Sequence, residues 1–178
     1  MNELTTMAMN RLQADYPLPR HNLILLSCMD MRLMNELTAF MDRDNLTNRY
    51  DHLVVAGAGL GLVHGKTDKK YKSWWKGFRL QVEAAIALGH KPEDLYIVEH
   101  RSCGAYKLLL GKDFGDDPTA QVEERRLHQE YAQKCAKRIQ AYCKSAPPIN
   151  NEPFPHFKIT TFLMDLRGDL EHLDTFRP

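Results

Sequence analysis

Two short motifs bring metal-binding types of side chain to two distant points of the chain. Residues 27–32 read SCMDMR and contain Cys28, whereas residues 99–104 read EHRSCG and contain His100 and Cys103. Two thiolates and one imidazole suit zinc, a borderline-soft ion that favours tetrahedral nitrogen and sulfur coordination. Three protein ligands leave one position for water, which is the pattern of catalytic rather than structural zinc sites. The sequence therefore predicts an open zinc centre with these three residues as metal ligands.

Asp30 and Arg32 follow the first cysteine at alternate positions. Alternate side chains of an extended segment point to the same side, so we expect Asp30 to reach the metal region and Arg32 to reach Asp30. A carboxylate beside a metal-bound water can accept its hydrogen bond, and an arginine keeps that carboxylate ionised and oriented. The pair is therefore a candidate catalytic dyad. Alternatively, the two residues form a salt bridge that caps the next helix, and both roles can coexist.

The elements that must position these motifs alternate between strand and helix. Apolar runs of strand length are separated by longer stretches with helical spacing of apolar residues. We predict strands at 22–27, 52–56, 95–99 and 157–163, and helices at 31–43, 78–88, 104–111 and 119–143. This alternation predicts an α/β fold with a mainly parallel central sheet flanked by helices. Sites of such sheets lie beyond the carboxyl ends of the strands, which is where Cys28 and His100 fall.

The remaining segments are assigned to the same domain. We predict a single zinc-binding domain over residues 1–178, with an N-terminal helical arm over residues 1–19. Residues 64–76 are polar and basic apart from Trp74 and Trp75, and we predict a loop there. The two tryptophans would anchor that loop or contact another subunit, with a lid over the site as the less favoured alternative.

Composition restricts the class of protein. The 178 residues are 43% apolar and 26% charged with a net charge of +1, which favours a soluble globular protein and neither nucleic acid nor a membrane as partner. No apolar stretch is long enough to cross a bilayer and no signal peptide is recognisable, so we expect a cytoplasmic location. The four cysteines are expected to be reduced, and the absence of a Cys-x-x-Cys motif argues against thiol redox chemistry.

The ordered pair of motifs, Cys-x-Asp-x-Arg and then His-x-x-Cys-Gly, resembles the metal-site signature of the β-class carbonic anhydrases over roughly residues 20–168. The resemblance implies zinc on the three ligands and a catalytic role for Asp30 and Arg32. It implies reversible hydration of carbon dioxide to bicarbonate by a metal-bound hydroxide. For this mechanism, backbone N–H groups near Gly59 or Gly104 are candidates to bind the product anion. It also implies a homodimer or higher homo-oligomer, with the arm packing on a neighbour.

The chain departs from this family at two places. Members usually carry an Arg-Asn-Ala-Gly-Asn-like loop after the second strand, whereas residues 56–60 here read AGAGL. Glu99 and Arg101 stand where members often have glycine and a small hydroxyl residue. Two alternatives therefore stay open. One is hydrolysis of carbon disulfide or carbonyl sulfide at the same site, and the other is a non-catalytic, zinc-stabilised binding or regulatory module.

Overall fold

The computed structural model describes residues 22–44, 46–65 and 67–178, so the predicted arm over residues 1–19 lies outside the described residues. These residues form a five-stranded sheet in the order β2-β1-β3-β4-β5. The first four strands run parallel and the last is antiparallel. The strands are β1 (Asn22–Ser27), β2 (Tyr50–Val54), β3 (Pro92–His100), β4 (Lys158–Met164) and β5 (Leu170–Phe176).

Helices cover both faces of the sheet. They are α1 (Met34–Arg43), α2 (Ala58–His64), α3 (Lys72–Ala87), α4 (Gly104–Leu110) and α5 (Pro118–Ser145), with short 3₁₀ turns at Met31–Leu33 and Lys69–Tyr71. The predicted α/β class with a mainly parallel, helix-flanked sheet is confirmed. No helix within the described ranges combines the length and apolar character needed to span a bilayer.

The central strand β1 is buried on both sides, which explains its unbroken apolar sequence. Leu23 and Leu25 pack in the cluster that contains the apolar face of α1. Ile24 and Leu26 point to the opposite face and pack in the cluster that α2, α3 and α5 complete. All four side chains are fully buried, and each contributes about 1.5–3 kcal/mol through removal of apolar surface from water. The end of β1, where the first motif begins, is thus held rigidly.

The predicted loop at 64–76 is wrong for much of its length. Helix α3 already begins at Lys72, and the glycine-rich segment before the loop forms α2 instead of a turn. Aromatic packing explains the early start of α3, because Trp75 stacks on Phe78 at 5.5 Å between ring centroids and Trp74 packs on Tyr71 at 4.4 Å. The tryptophans therefore hold a helix against the core.

Candidate metal centre

Parallel pairing of β1 with β3 brings the two motifs together. Ser27 lies opposite Val98 in the register, so the carboxyl ends of both strands meet at one edge of the sheet. Cys28 directly follows β1, and His100 is the last residue of β3. Cys103 stands at the N-cap of α4, one tight turn further on. The edge of the sheet therefore collects three side chains that are far apart in the sequence.

The three side chains converge on one point. The Sγ atoms of Cys28 and Cys103 and a ring nitrogen of His100 all lie within 4.8 Å of one another, and the two sulfurs are 3.8 Å apart. A tetrahedral zinc ion with Zn–S bonds of about 2.3 Å would separate two sulfur ligands by about 3.8 Å. The described residues thus form a cluster with the spacing and donor types that zinc requires.

His100 presents its Nε2 atom to this cluster. Its Nδ1 lies 2.9 Å from the carbonyl oxygen of Arg101, and because a carbonyl only accepts, Nδ1 carries the proton. The ring is 2% exposed, and Nε2 has no hydrogen-bond partner among the described residues. A buried nitrogen lone pair without a partner is costly, and a metal ion would remove that cost.

The two cysteine thiols differ in pKa. A hydrogen bond with the Cys103 thiol lowers the pKa of Cys28 below the usual range of a thiol, against the opposing effect of burial. The same hydrogen bond, reinforced by burial, raises the pKa of Cys103. The pair therefore holds one proton between two sulfurs, and a bound cation would take the place of that proton.

Gly57 supplies a further donor that we did not predict from the sequence. Its N–H donates to Cys28 Sγ at 3.2 Å. The backbone at Gly57 is left-handed, with φ of +71°, and a Cβ atom there would come within 2.9 Å of Ala105 Cβ. Only glycine satisfies both demands without strain. The feature of the sequence that could have indicated this contact is the glycine directly after the second predicted strand.

Asp30 and Arg32 form the predicted pair beside the sulfurs. Arg32 donates through Nε to Asp30 Oδ1 at 2.8 Å and through Nη2 to Oδ2 at 2.6 Å. Arg32 also donates to the carbonyl of Ser102 at 3.0 Å, and Oδ2 lies 3.8 Å from His100 Nε2. The guanidinium lowers the pKa of Asp30 to about 2. The backbone N–H of Arg32 donates to Oδ1 as well, so the capping contact and the ion pair coexist.

Glu99 is the site residue whose contacts the sequence did not reveal. It is 1% exposed, and its Oε1 accepts the N–H of Gly59 at 2.8 Å. Its Oε2 accepts from Nδ1 of His128 at 2.9 Å and from the hydroxyl of Tyr106 at 3.4 Å. Glu99 therefore already accepts the N–H of Gly59, and a role of this glycine in substrate binding stays a prediction. Gly104 is exposed at the start of α4, and its role in substrate binding stays a prediction.

Glu124 ties the second motif to α5. Its Oε1 accepts the N–H of Ser102 at 2.5 Å, and its Oε2 accepts from Arg101 at 3.2 Å. Ser102 adopts a left-handed φ of +54°, so this contact holds the tight turn between the two predicted ligands of the second motif. Glu124 and His128 lie four residues apart on the buried side of a long charged helix, and that spacing was the available signal.

A small cavity of about 10 Å³ adjoins the cluster. Besides Cys28, Asp30 and His100, its walls are formed by Ser27 and by five apolar side chains: Leu33, Met34, Leu37, Val98 and Met164. A space of this size holds about one molecule as small as water. The cavity therefore excludes large substrates from the side of the site that faces α1.

The fold and the site define an α/β protein with a candidate Cys₂His metal centre at the carboxyl edge of its sheet. No family model matches the sequence. An uncharacterised protein of Rickettsia bellii is 31% identical over 150 residues, covering 84% of this chain and 80% of the relative. An uncharacterised protein of Rickettsia conorii is 31% identical over 150 residues, covering 84% of this chain and 70% of the relative. The chain belongs to the same family as these two rickettsial proteins.

Two solved structures are similar to the chain at low sequence identity. A carbonic anhydrase of Streptococcus mutans has a TM-score of 0.47 at 18% identity, covering 98% of this chain and 99% of that one. The β-carbonic anhydrase CafA of Aspergillus fumigatus has a TM-score of 0.49 at 16% identity, covering 97% and 85%.

Proposed function

We propose that this protein is a zinc lyase of the β-carbonic anhydrase type, which reversibly hydrates carbon dioxide to bicarbonate. One observation carries the proposal. Two sulfurs and an unpartnered imidazole nitrogen converge beside a carboxylate that an arginine holds in place. The ordered signature in the sequence supports the same class. A homo-oligomer and a cytoplasmic location remain predictions.

The donor set favours zinc over magnesium and calcium. Thiolate and imidazole ligands suit a borderline-soft cation, whereas magnesium and calcium require oxygen ligands. Cys28 and Cys103 would contribute the sulfurs, and His100 would contribute Nε2. Zinc held there supplies Lewis-acid activation of a water molecule.

Asp30 orients the water that reacts. Arg32 engages both carboxylate oxygens, which keeps Asp30 ionised and fixes its direction. An ionised carboxylate can only accept hydrogen bonds, so it favours a water or hydroxide that presents an O–H to it. A lone pair of that oxygen is then left to face the carbon of the substrate.

The adjoining cavity of about 10 Å³ is the size of one water molecule. Cys28, Asp30 and His100 form part of its wall. A water molecule held there would lie beside the carboxylate that orients it for reaction.

A stopped-flow assay of carbon dioxide hydration, run on protein of measured zinc content, tests the proposal. We expect Cys103→Ser to lose at least about 99% of the activity. Loss of a group that positions the reactants or assists the reaction lowers the rate about 10²-fold or more. Cys143→Ser provides the matched control, because this cysteine is buried on α5 away from the cluster. Equal rates for the wild type and Cys103→Ser would refute the metal mechanism.

A non-catalytic zinc module is the second candidate, and the occupied N–H of Gly59 favours it. This module would bind one zinc per chain, lose thermal stability with a chelator and show no hydration above background at pH 8.5. Hydrolysis of carbon disulfide or carbonyl sulfide uses the same centre, so the relative rates on carbon dioxide and carbon disulfide separate that alternative.

A further inference from the structure

A second concave site lies between helices α3 and α5. This basic cleft is defined by Lys72, Lys76 and Arg79 on α3 and by Arg138 on α5. Trp75 forms part of its wall, and the cavity measures about 490 Å³. It shares no lining residue with the metal centre, and its volume falls within the range of small-molecule sites.

The α3 wall concentrates positive charge on one side of the helix. Lys72, Lys76 and Arg79 follow at intervals of four and three residues, which places them on the same helical face. Like charges at this spacing repel and destabilise a helix. None of the described residues that line the cleft is a carboxylate. An external anion is therefore the group that would neutralise this charge.

The α5 wall adds a guanidinium that is already fixed in place. The Arg138 guanidinium lies 4.0 Å from the centroid of the Trp75 ring and donates to the carbonyl of Leu62. Burial lowers the pKa of Arg138, and the nearby charge of Arg79 lowers it further. Two arginines thus face a common space at an electrostatic cost, which a bound anion would relieve.

Arg79 carries an N–H group that is buried without a partner. Its Nε has no hydrogen-bond acceptor among the described residues. The neighbouring carboxylate of Glu83 accepts from the hydroxyl of Tyr142, and Glu83 does not line the cleft. An unsatisfied buried donor costs about 1–3 kcal/mol, so an acceptor on a ligand would bind there favourably.

We infer that the basic cleft binds a small phosphorylated molecule that carries at least two negative charges. Guanidinium groups pair with phosphate oxygens in bidentate geometry, and two lysines supply further charge at the rim. Bicarbonate carries a single charge and would leave most of the four cations unneutralised. This site is independent of the reaction at the metal centre.

Isothermal titration calorimetry with inorganic pyrophosphate tests the inference at 150 mM salt. We expect saturable binding of one pyrophosphate per chain, weakened about tenfold by Arg79→Gln and about threefold or more by Lys76→Gln. Lys76 is exposed, so its variant retains the fold if Arg79→Gln does not. Lys137→Gln removes the same charge from an exposed position next to Arg138 and should leave the affinity unchanged.

Three results would overturn the inference. The first is the absence of saturable binding. The second is equal weakening by Lys137→Gln and the cleft variants, which would indicate only a general attraction of anions. The third is tighter binding of a single-stranded oligonucleotide than of pyrophosphate, which would make the face a nucleic-acid surface.

Discussion

Glu99 Oε2 lies 2.9 Å from Nδ1 of His128, and both side chains are buried immediately behind the candidate metal centre. Glu99 directly precedes His100 on β3, and His128 belongs to α5. The contact therefore joins the strand that carries a predicted metal ligand to the longest helix of the described chain. It fixes the position of α5 along the strand direction relative to the edge of the sheet.

Loss of this contact should destabilise the protein. His128→Leu removes one of the three hydrogen-bond donors of the buried Glu99 carboxylate, and leaving a buried polar group without a partner costs about 1–3 kcal/mol. Urea denaturation measures the free energy of unfolding. His156→Leu is the control, because His156 is exposed and should change the stability by less than about 0.5 kcal/mol. A loss below about 1 kcal/mol in His128→Leu would contradict this account.

Glu124 should affect the affinity for the metal more than the fold. Glu124→Ala removes the acceptor of the Ser102 N–H, so the turn between His100 and Cys103 loses its support from α5. Removal of groups that orient metal ligands weakens binding about 10–100-fold. Competition with a chelating dye measures the zinc dissociation constant. Glu123→Ala changes the preceding residue, which pairs with Lys112 and Arg126, and should bind zinc as the wild type does. Parallel weakening in both variants would assign the effect to surface charge.

The three candidate ligands could be predicted because two independent arguments, from strand topology and from residue type, pointed to the same residues. Cys28 and His100 each end a short apolar run, and parallel topology places such ends at one edge of the sheet. The residue types then selected zinc. The pair of Asp30 and Arg32 was predictable because its spacing is local, although Met31–Leu33 form a 3₁₀ turn instead of the expected extended segment.

The four-residue spacing of Glu124 and His128 was the one sign in the sequence of the support from α5, and it did not identify their partners. Glu99, His128 and Glu124 meet because α5 packs on the sheet with one particular face. No local sequence pattern specifies which strand residue that face will contact. The start of α3 was missed for a related reason. Its lysine-rich first turns look like a loop until the burial of Trp75 against the core is known.

Gly57 and Gly77 should respond oppositely to alanine. At Gly57 a Cβ atom meets Ala105 at 2.9 Å and the backbone φ is +71°, so Gly57→Ala should destabilise the protein by about 1–3 kcal/mol and displace the N–H from Cys28. Gly77 lies inside α3 with no atom within 4 Å of an added Cβ. Gly77→Ala should therefore stabilise the protein by about 0.5–1 kcal/mol. Thermal unfolding compares the two, and a gain of stability in Gly57→Ala would remove the steric argument.

His52 should make the stability depend on pH near neutrality. Its Nε2 lies 2.6 Å from Ser27 Oγ, and burial lowers the pKa of the ring below its usual value of 6.5. The unfolded chain then binds a proton more readily than the folded one, so stability falls as the pH drops through 6.5 towards the lower folded pKa.

Zinc and the cysteines contribute equally to the wild type and to His52→Gln, so a comparison of the two proteins cancels their effect. We expect the free energy of unfolding of the wild type to fall relative to that of His52→Gln between pH 8 and pH 5. His156→Gln, at an exposed position, serves as the control and should follow the wild type. A difference between wild type and His52→Gln that stays constant over this interval would show that the half-buried ring does not control the pH dependence.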